Sequence, residues 1–249
     1  MIFINTEILL NDIKKDIFSR QDIIEAATAE INGFKTTDIR NLIEDMINRG
    51  EICRVAHNRY VRSADVSNKS EYKPVFSEEA LKVINVVAKA NPYTDFQVWE
   101  LSWFNEFLIH LVARNIIFID VESGGCEFVY SSLPDEYLGK VLLLPNAKEL
   151  QYYSKPDTII IEKLISESPN IKGRPHEAPI EKLLVELFAN KILRTMLSQG
   201  DYANILETVF SKYLVDELKL FRYANRRNKK DEIIHFINEN TNIRIMKEV

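Results

Sequence analysis

Apolar positions divide the chain into a short N-terminal stretch and a longer C-terminal one. In the first, Thr6 or Asn5 can cap a helix carrying Ile8, Leu9 and Ile13. Ser19, with Asp22 three residues on, is a capping-box start followed by Ile23, Ile24 and Ala27. Gly33 breaks this pattern. Ile39, Leu42, Ile43, Met46 and Ile47 then recur at helical spacing, and Gly50 is a C-terminal stop. Ile52 to Arg54 and Tyr60 to Arg62 read as two short strands around the polar turn Ala56-His57-Asn58-Arg59. The predicted order over residues 1–62 is helix, helix, helix, hairpin. Residues 63–76 are polar, lack periodicity and read as a linker.

The second stretch, 77–249, opens at Ser77, which can cap a helix carrying Leu81, Ile84, Val87 and Ala88 and ended by Pro92. Phe96 to Trp99 reads as a strand, and Leu101 to Val112 as an aromatic-rich helix. Ile116–Val121, Cys126–Tyr130, Val141–Leu144 and Thr158–Ile161 read as strands, some buried on both faces because they do not alternate. From Pro179 the pattern is helical. Ile180, Leu183, Leu184, Leu187 and Phe188 form a clear stripe, and helices are expected over 201–214, 216–229 and 231–239. Trp99, Trp103, Phe107, Leu183, Leu187 and Phe188 are the expected second core. The predicted class is α+β: an N-terminal winged helix-turn-helix domain and a larger α+β domain with a small sheet and a helical C-terminal part.

Composition narrows this little. The 32 basic and 37 acidic residues give a net charge of −5, so any contact with nucleic acid must be a local patch. No segment has the roughly 18 uninterrupted apolar residues of a membrane span, and no signal peptide is expected. The two cysteines, Cys53 and Cys126, fit small core residues in a reducing cytoplasm better than a disulfide scaffold.

Charge position says more. In a winged helix the third helix enters the major groove and the hairpin touches the backbone. The third helix here begins with Lys35, Thr36, Thr37, Arg40 and Asn41. The hairpin offers Arg54, His57, Asn58, Arg59 and Arg62, with no acid between Ile52 and Arg62. Arg and Asn can read guanine and adenine edges, while Lys and Thr can hold phosphates. Asp38, Glu44 and Asp45 lie on the same helix, and units of this kind also mediate protein contacts. A second basic run spans Lys219 to Lys230, with six basic residues and no acid. On one continuous helix Lys219, Arg222, Arg226, Lys229 and Lys230 share an arc, with Tyr223 beside them and Arg227 close by. That face suits an anionic partner, or is simply solvated.

Catalytic signals are sparse. Asp120-Val-Glu122 puts two carboxylates on one side of a strand, and Asp157 could join them in a divergent metal-dependent nuclease. His57, His110, His176 and His235 are scattered without metal spacing. No nucleotide-binding glycine loop or nucleophile elbow occurs. The expectation is a protein without catalysis, cofactor or metal.

Three segments in order carry a family resemblance. The first joins Arg49-Gly-Glu-Ile-Cys-Arg54 to Asn58-Arg-Tyr-Val61. The second is Val98-Trp-Glu-Leu-Ser-Trp-Phe-Asn-Glu-Phe107, leading to Asn115-Ile-Ile-Phe-Ile-Asp-Val-Glu122, Thr158–Ile161 and Ser166-Glu-Ser-Pro169. The third is Ala178-Pro-Ile-Glu-Lys-Leu-Leu-Val-Glu-Leu-Phe-Ala189 with Arg222-Tyr-Ala-Asn-Arg-Arg227. Together they resemble the AbiEi antitoxins of bacterial type IV toxin–antitoxin systems, linked to abortive phage infection. The resemblance implies an N-terminal domain that binds operator DNA and represses its own operon. It also implies a C-terminal domain that neutralises a nucleotidyltransferase-like toxin without a stable complex. The alternatives are a winged-helix regulator with a ligand-sensing second domain, and the nuclease.

Overall fold

The computed structural model describes residues 6–15, 17–31, 33–56, 58–63, 69–153 and 155–245. It is a mixed α+β structure of two compact units. One holds the chain up to Glu71 together with Lys212–Leu218; the other holds Tyr72–Ser211 and Lys219–Ile245.

The first unit runs α1 (Thr6–Asp12), β1 (Ile17–Ser19), α2 (Arg20–Glu30), a 3-10 turn (Thr36–Asp38), α3 (Ile39–Asn48), β2 (Ile52–Ala56) and β3 (Arg59–Arg62). Its three strands pair antiparallel in the order β1-β3-β2. This is the expected order of three helices and a hairpin, plus β1. Ser19 and Asp22 form the reciprocal capping box, and Gly50 ends α3 in the left-handed region at φ 70°. Ile39, Leu42, Ile43 and Met46 point into a core with Leu9, Phe18, Ile23 and Ala27, whereas Ile47 is exposed.

The boundary differs from the expected linker. Residues 64–68 lie outside the described residues, but 70–76 are tied down. Ser70 exchanges backbone hydrogen bonds with Lys212 and Leu214 within the first unit. In the second unit, the Tyr72 ring packs on Phe107 and Phe76 meets Trp103 edge-on. The Trp103 indole N–H also donates to the Val75 carbonyl at 3.1 Å. The second unit therefore begins at Tyr72, five residues before the expected start at Ser77.

There, α4 (Glu78–Ala90), capped by Ser77, leads to β4 (Phe96–Glu100), a 3-10 turn (Leu101–Glu106), β5 (Ile116–Val121), α5 (Cys126–Ser132) and β6 (Val141–Leu143). Next come α6 (Ala147–Tyr153), β7 (Thr158–Lys163), α7 (Ile180–Ala189), α8 (Leu193–Met196), α9 (Tyr202–Lys212), α10 (Glu217–Arg226) and α11 (Lys230–Asn240). The sheet order is β4-β5-β7-β6; β4 is antiparallel to β5, and β5, β7 and β6 are parallel.

Two expected elements change. Cys126–Tyr130 is helical, not a strand: Cys126 and Val129, three apart, face the core while Phe128 and Tyr130 are exposed. Leu101–Val112 is a 3-10 turn that stops at Glu106, because Ile109 and Leu111 have no core to face and stand exposed. One sheet face carries Phe96, Val98, Ile117, Ile119, Ile159 and Ile161, packed with Ala80, Val83 and Val87 of α4 and Cys126 and Val129 of α5. The other face carries Trp99 stacked on Phe118 at 3.8 Å. The expected core residues Trp99, Trp103, Phe107, Leu183, Leu187 and Phe188 are all buried.

Candidate functional site

The outward face of α3 is polar because its other side is fully used by the core. Arg40 and Asn41 are exposed there, and so are Glu44 and Asp45; Lys35, Thr36 and Thr37, expected to open this helix, lie before it, Thr36 and Thr37 in the 3-10 turn with Asp38, and are exposed as well. Arg40 Nε lies 3.0 Å from Glu44 Oε1 one turn on. Such an exposed pair is worth roughly 0.3–0.5 kcal/mol, so an incoming phosphate or base can displace it. On the hairpin, Arg54 is exposed and Arg59 half-buried. His57 lies outside the described residues. Asn58 takes the left-handed turn position at φ 56°, and its Oδ1 accepts from the Arg20 N–H at 3.0 Å, fixing the hairpin tip against the start of α2.

Arg62 does not join this surface. Its guanidinium donates to the carbonyls of Leu10, Ile13 and Lys15 at and beyond the end of α1, and sits 5.6 Å over the Phe18 ring. It closes the helix end that the backbone leaves unsatisfied.

The expected basic arc over 219–230 is also divided. Asn228 adopts φ 54° and breaks the helix, so Lys229 and Lys230 belong to the start of α11. Lys229 pairs with Glu232. Tyr223, expected on the basic face, is 1% exposed. Its hydroxyl donates to Glu186 Oε1 at 2.5 Å, and Arg227 donates to Glu186 Oε2 at 2.7 Å. Lys219, Arg222 and Arg226 remain exposed, with Arg226 Nε donating to Ser166 Oγ. Arg222→Gln combined with Arg226→Gln should therefore leave the melting temperature nearly unchanged. Arg227→Gln should cost about 1.5–3 kcal/mol, since it strips a charge-assisted bond from a buried carboxylate. Paired denaturant titrations check this; equal losses in the two proteins would contradict it.

Tyr223 and Arg227 belong instead to a charged cluster at the C-terminal ends of β5 and β7. Gln97, Asp120 and Glu162 stand in one row across β4, β5 and β7, because the register opposes 97 to 120 and 120 to 162. Lys182 and Glu186, one turn apart on α7, face that row. Lys182 Nζ lies 2.6 Å from Asp120 Oδ2 and donates to Gln97 Oε1 at 2.9 Å and Ser168 Oγ at 3.2 Å. Trp99 Nε1 donates to Asp120 Oδ2 at 2.9 Å, and Asn190 Nδ2 to Glu162 Oε2 at 2.7 Å.

Beside this cluster opens a cavity of about 480 Å³. Burial, with Asp120 and Glu186 close by, pushes the Glu162 carboxyl up to about 8. Burial also raises Glu186, against the pull of Arg227 and Lys182. Burial and the facing Glu186 raise the Tyr223 phenol. The residues weighed for a nuclease are not brought together. Asp120 is held by Lys182 and Trp99, Glu122 accepts from the Asp95 N–H at 3.2 Å, and Asp157 occupies the turn before β7. Among the described residues no three His, Cys, Asp or Glu groups converge as a metal site. Sequence reasoning passes over Lys182, Glu186 and Asn190, and meets Glu162 only beside Lys163, in a nuclease-like pattern with Asp157 that fails because adjacent residues cannot share a strand face. The available signal was the pair Lys182 and Glu186 inside a helix with a broad apolar stripe.

No curated protein matches the chain. A solved structure, the Rv2827c protein from Mycobacterium tuberculosis, is similar at 10% identity with a TM-score of 0.31, covering 97% of this chain and 83% of that one. The model of a family of unknown function, DUF6577, matches residues 38–243, from the last residue before α3 to beyond α11, and the chain belongs to that family.

Proposed function

We propose that the chain is an antitoxin that also represses its own operon. Its first unit acts as a winged helix on operator DNA, and its second counteracts a nucleotidyltransferase-like toxin in the cytoplasm, without catalysis, cofactor or stable toxin complex. The observation that carries the DNA-binding part is the outward face of α3. Arg40 and Asn41 are exposed on a helix whose inner stripe is locked in the core, with Lys35, Thr36 and Thr37 exposed just before its start and a hairpin bearing Arg54 and Arg59 alongside. A rigid helix with a polar outward face and a basic hairpin beside it is what groove reading and backbone contact require. The antitoxin part is supported by the ordered sequence resemblance. Among the described residues no helix is long and apolar enough to cross a membrane.

The test is a salt-dependent gel-shift titration with the DNA upstream of the gene. Arg40→Ala should lower affinity for the preferred sequence by about 1–3 kcal/mol and relax its preference. Arg59→Ala should weaken all duplexes alike and flatten the salt dependence. Equal binding of upstream and random DNA by the wild type would remove the operator reading. Co-expression with the neighbouring gene, scoring growth, tests the antitoxin part separately.

A further inference from the structure

We propose that a second cavity, over the start of β4 and the ends of β5 and β7, binds a free nucleotide. The phosphate sits at Lys163, Ser166 and Arg226, the ribose at Asp95 and Glu122, and the base against His176. The cavity measures about 1140 Å³, ample for such a ligand. The strand register lays out its floor. Phe96 on β4 faces Val121 on β5, and Val121 faces Lys163 on β7. Asp95, Glu122 and Lys163 therefore follow one another along one edge of the sheet. From β4 to β7 that edge spans two strand spacings, roughly 10 Å. It includes the C-terminal ends of two parallel strands, where open sheets flanked by helices place their ligands.

The wall is the segment 164–176, which returns from β7 to β4 and is pinned along its length. The Leu164 N–H donates to the Val121 carbonyl at 2.7 Å. The Ser168 hydroxyl donates to Gln97 Oε1 at 2.8 Å, and Gln97 Nε2 donates to the Pro169 carbonyl at 2.7 Å. The His176 carbonyl accepts from the Val98 N–H at 2.7 Å, and the His176 ring lies flat on Phe96 with centroids 3.9 Å apart. A wall held in this way is ordered before the ligand arrives, so binding costs little further entropy.

Three cations, Lys163, Lys172 and Arg226, and three carboxylates, Asp95, Glu122 and Glu167, line the cavity, so its sum of charge is zero and the separation of the signs selects the ligand. At the β4–β5 end the Glu122 N–H donates to the Asp95 carbonyl at 2.9 Å and the Asp95 N–H to Glu122 Oε1 at 3.2 Å. That pairing holds the two carboxylates side by side, and among the described residues neither is in an ion pair. At the β7 end Lys163 is exposed and in no ion pair among the described residues, and Arg226 Nε donates to Ser166 Oγ, which orients the rest of its guanidinium. Glu167 is exposed on the turn between Ser166 and Ser168, and Lys172 on the turn Ile171–Arg174. A bare anion or cation meets both signs here. A nucleotide matches each part: its phosphate takes charge-assisted bonds from Lys163 and Arg226, and its ribose hydroxyls donate to Asp95 and Glu122. The His176 ring, backed by Phe96, offers the base an aromatic surface next to Asp95.

Isothermal titration of the full chain with the four ribonucleoside 5′-monophosphates and 5′-triphosphates tests this. At least one should bind with a Kd below about 1 mM. The matching nucleoside, without phosphate, and the 2′,3′-dideoxy nucleotide, without the hydroxyls, should each bind at least roughly tenfold more weakly. Lys163→Gln combined with Arg226→Gln should weaken nucleotide binding by a similar factor while the melting curve stays native, since both side chains are exposed. No binding of any nucleotide up to about 10 mM, equal binding of the nucleoside or of the dideoxy nucleotide, or undiminished binding by the double variant would overturn the proposal. So would binding of a single-stranded oligonucleotide by a protein that takes no free nucleotide.

Discussion

Replacing Lys182 by leucine should cost about 3–5 kcal/mol of stability, the range for breaking one side of a buried ion pair. Lys182 is fully buried. Its three ammonium protons have three acceptors, Asp120 Oδ2, Gln97 Oε1 and Ser168 Oγ. Leucine removes the charge and leaves Asp120, itself only 5% exposed, with the Trp99 indole and two neighbouring carboxyl groups. The penalty is the uncompensated carboxylate more than the lost attraction. Pairing Lys182→Leu with Asp120→Asn should then recover a substantial part of the loss, since no buried charge remains unpaired at that position. Guanidinium unfolding of both single mutants and the double mutant gives the coupling energy directly. A Lys182→Leu protein within about 0.5 kcal/mol of wild type would mean that water reaches Asp120 and the cluster is not sealed.

The same residue shows where pattern reading stops. Ile180, Leu183, Leu184, Leu187 and Phe188 announce α7 and its buried stripe. The amphipathic rule sends the opposite face to solvent. Here Glu181, Lys182 and Glu186 are buried as well. Their partners lie far along the chain, 62 residues from Lys182 to Asp120 and 37 from Glu186 to Tyr223. No local spacing encodes contacts of that separation.

The first unit is more legible because its signals are local: the Ser19–Asp22 capping box, the glycine at position 50, and the α3 stripe. Its short β1 escapes notice because three residues have no measurable period. The basic run at 219–230 misleads for another reason. A helical projection assumes one uninterrupted helix, and the left-handed Asn228 turns Lys229 and Lys230 away from the α10 face. Likewise Tyr72 and Phe76 are hidden in a polar stretch, where two isolated aromatics carry no periodicity yet anchor the chain to Phe107 and Trp103.

Stability should fall as pH rises from about 5 to about 8, and Glu162→Gln should remove that part of the fall. Glu162 titrates near its ordinary value of 4.5 when unfolded and at about 8 when folded. Between those values the folded protein holds one proton more than the unfolded chain, so each increment of pH favours unfolding. The contribution is complete below the lower value and gone above the upper one. Glutamine keeps the shape and the neutral charge of the protonated acid. Its amide can still accept from Asn190 and donates towards the remaining carboxylates. The variant should thus match wild type near pH 5 and exceed it near pH 8 by an amount on the order of a few kcal/mol. The comparison reports Glu162 together with its coupling to the neighbouring carboxyl groups. Denaturant curves at about pH 5, 6.5 and 8 measure the difference, and parallel pH profiles would show that Glu162 is already ionised and solvated in the folded state.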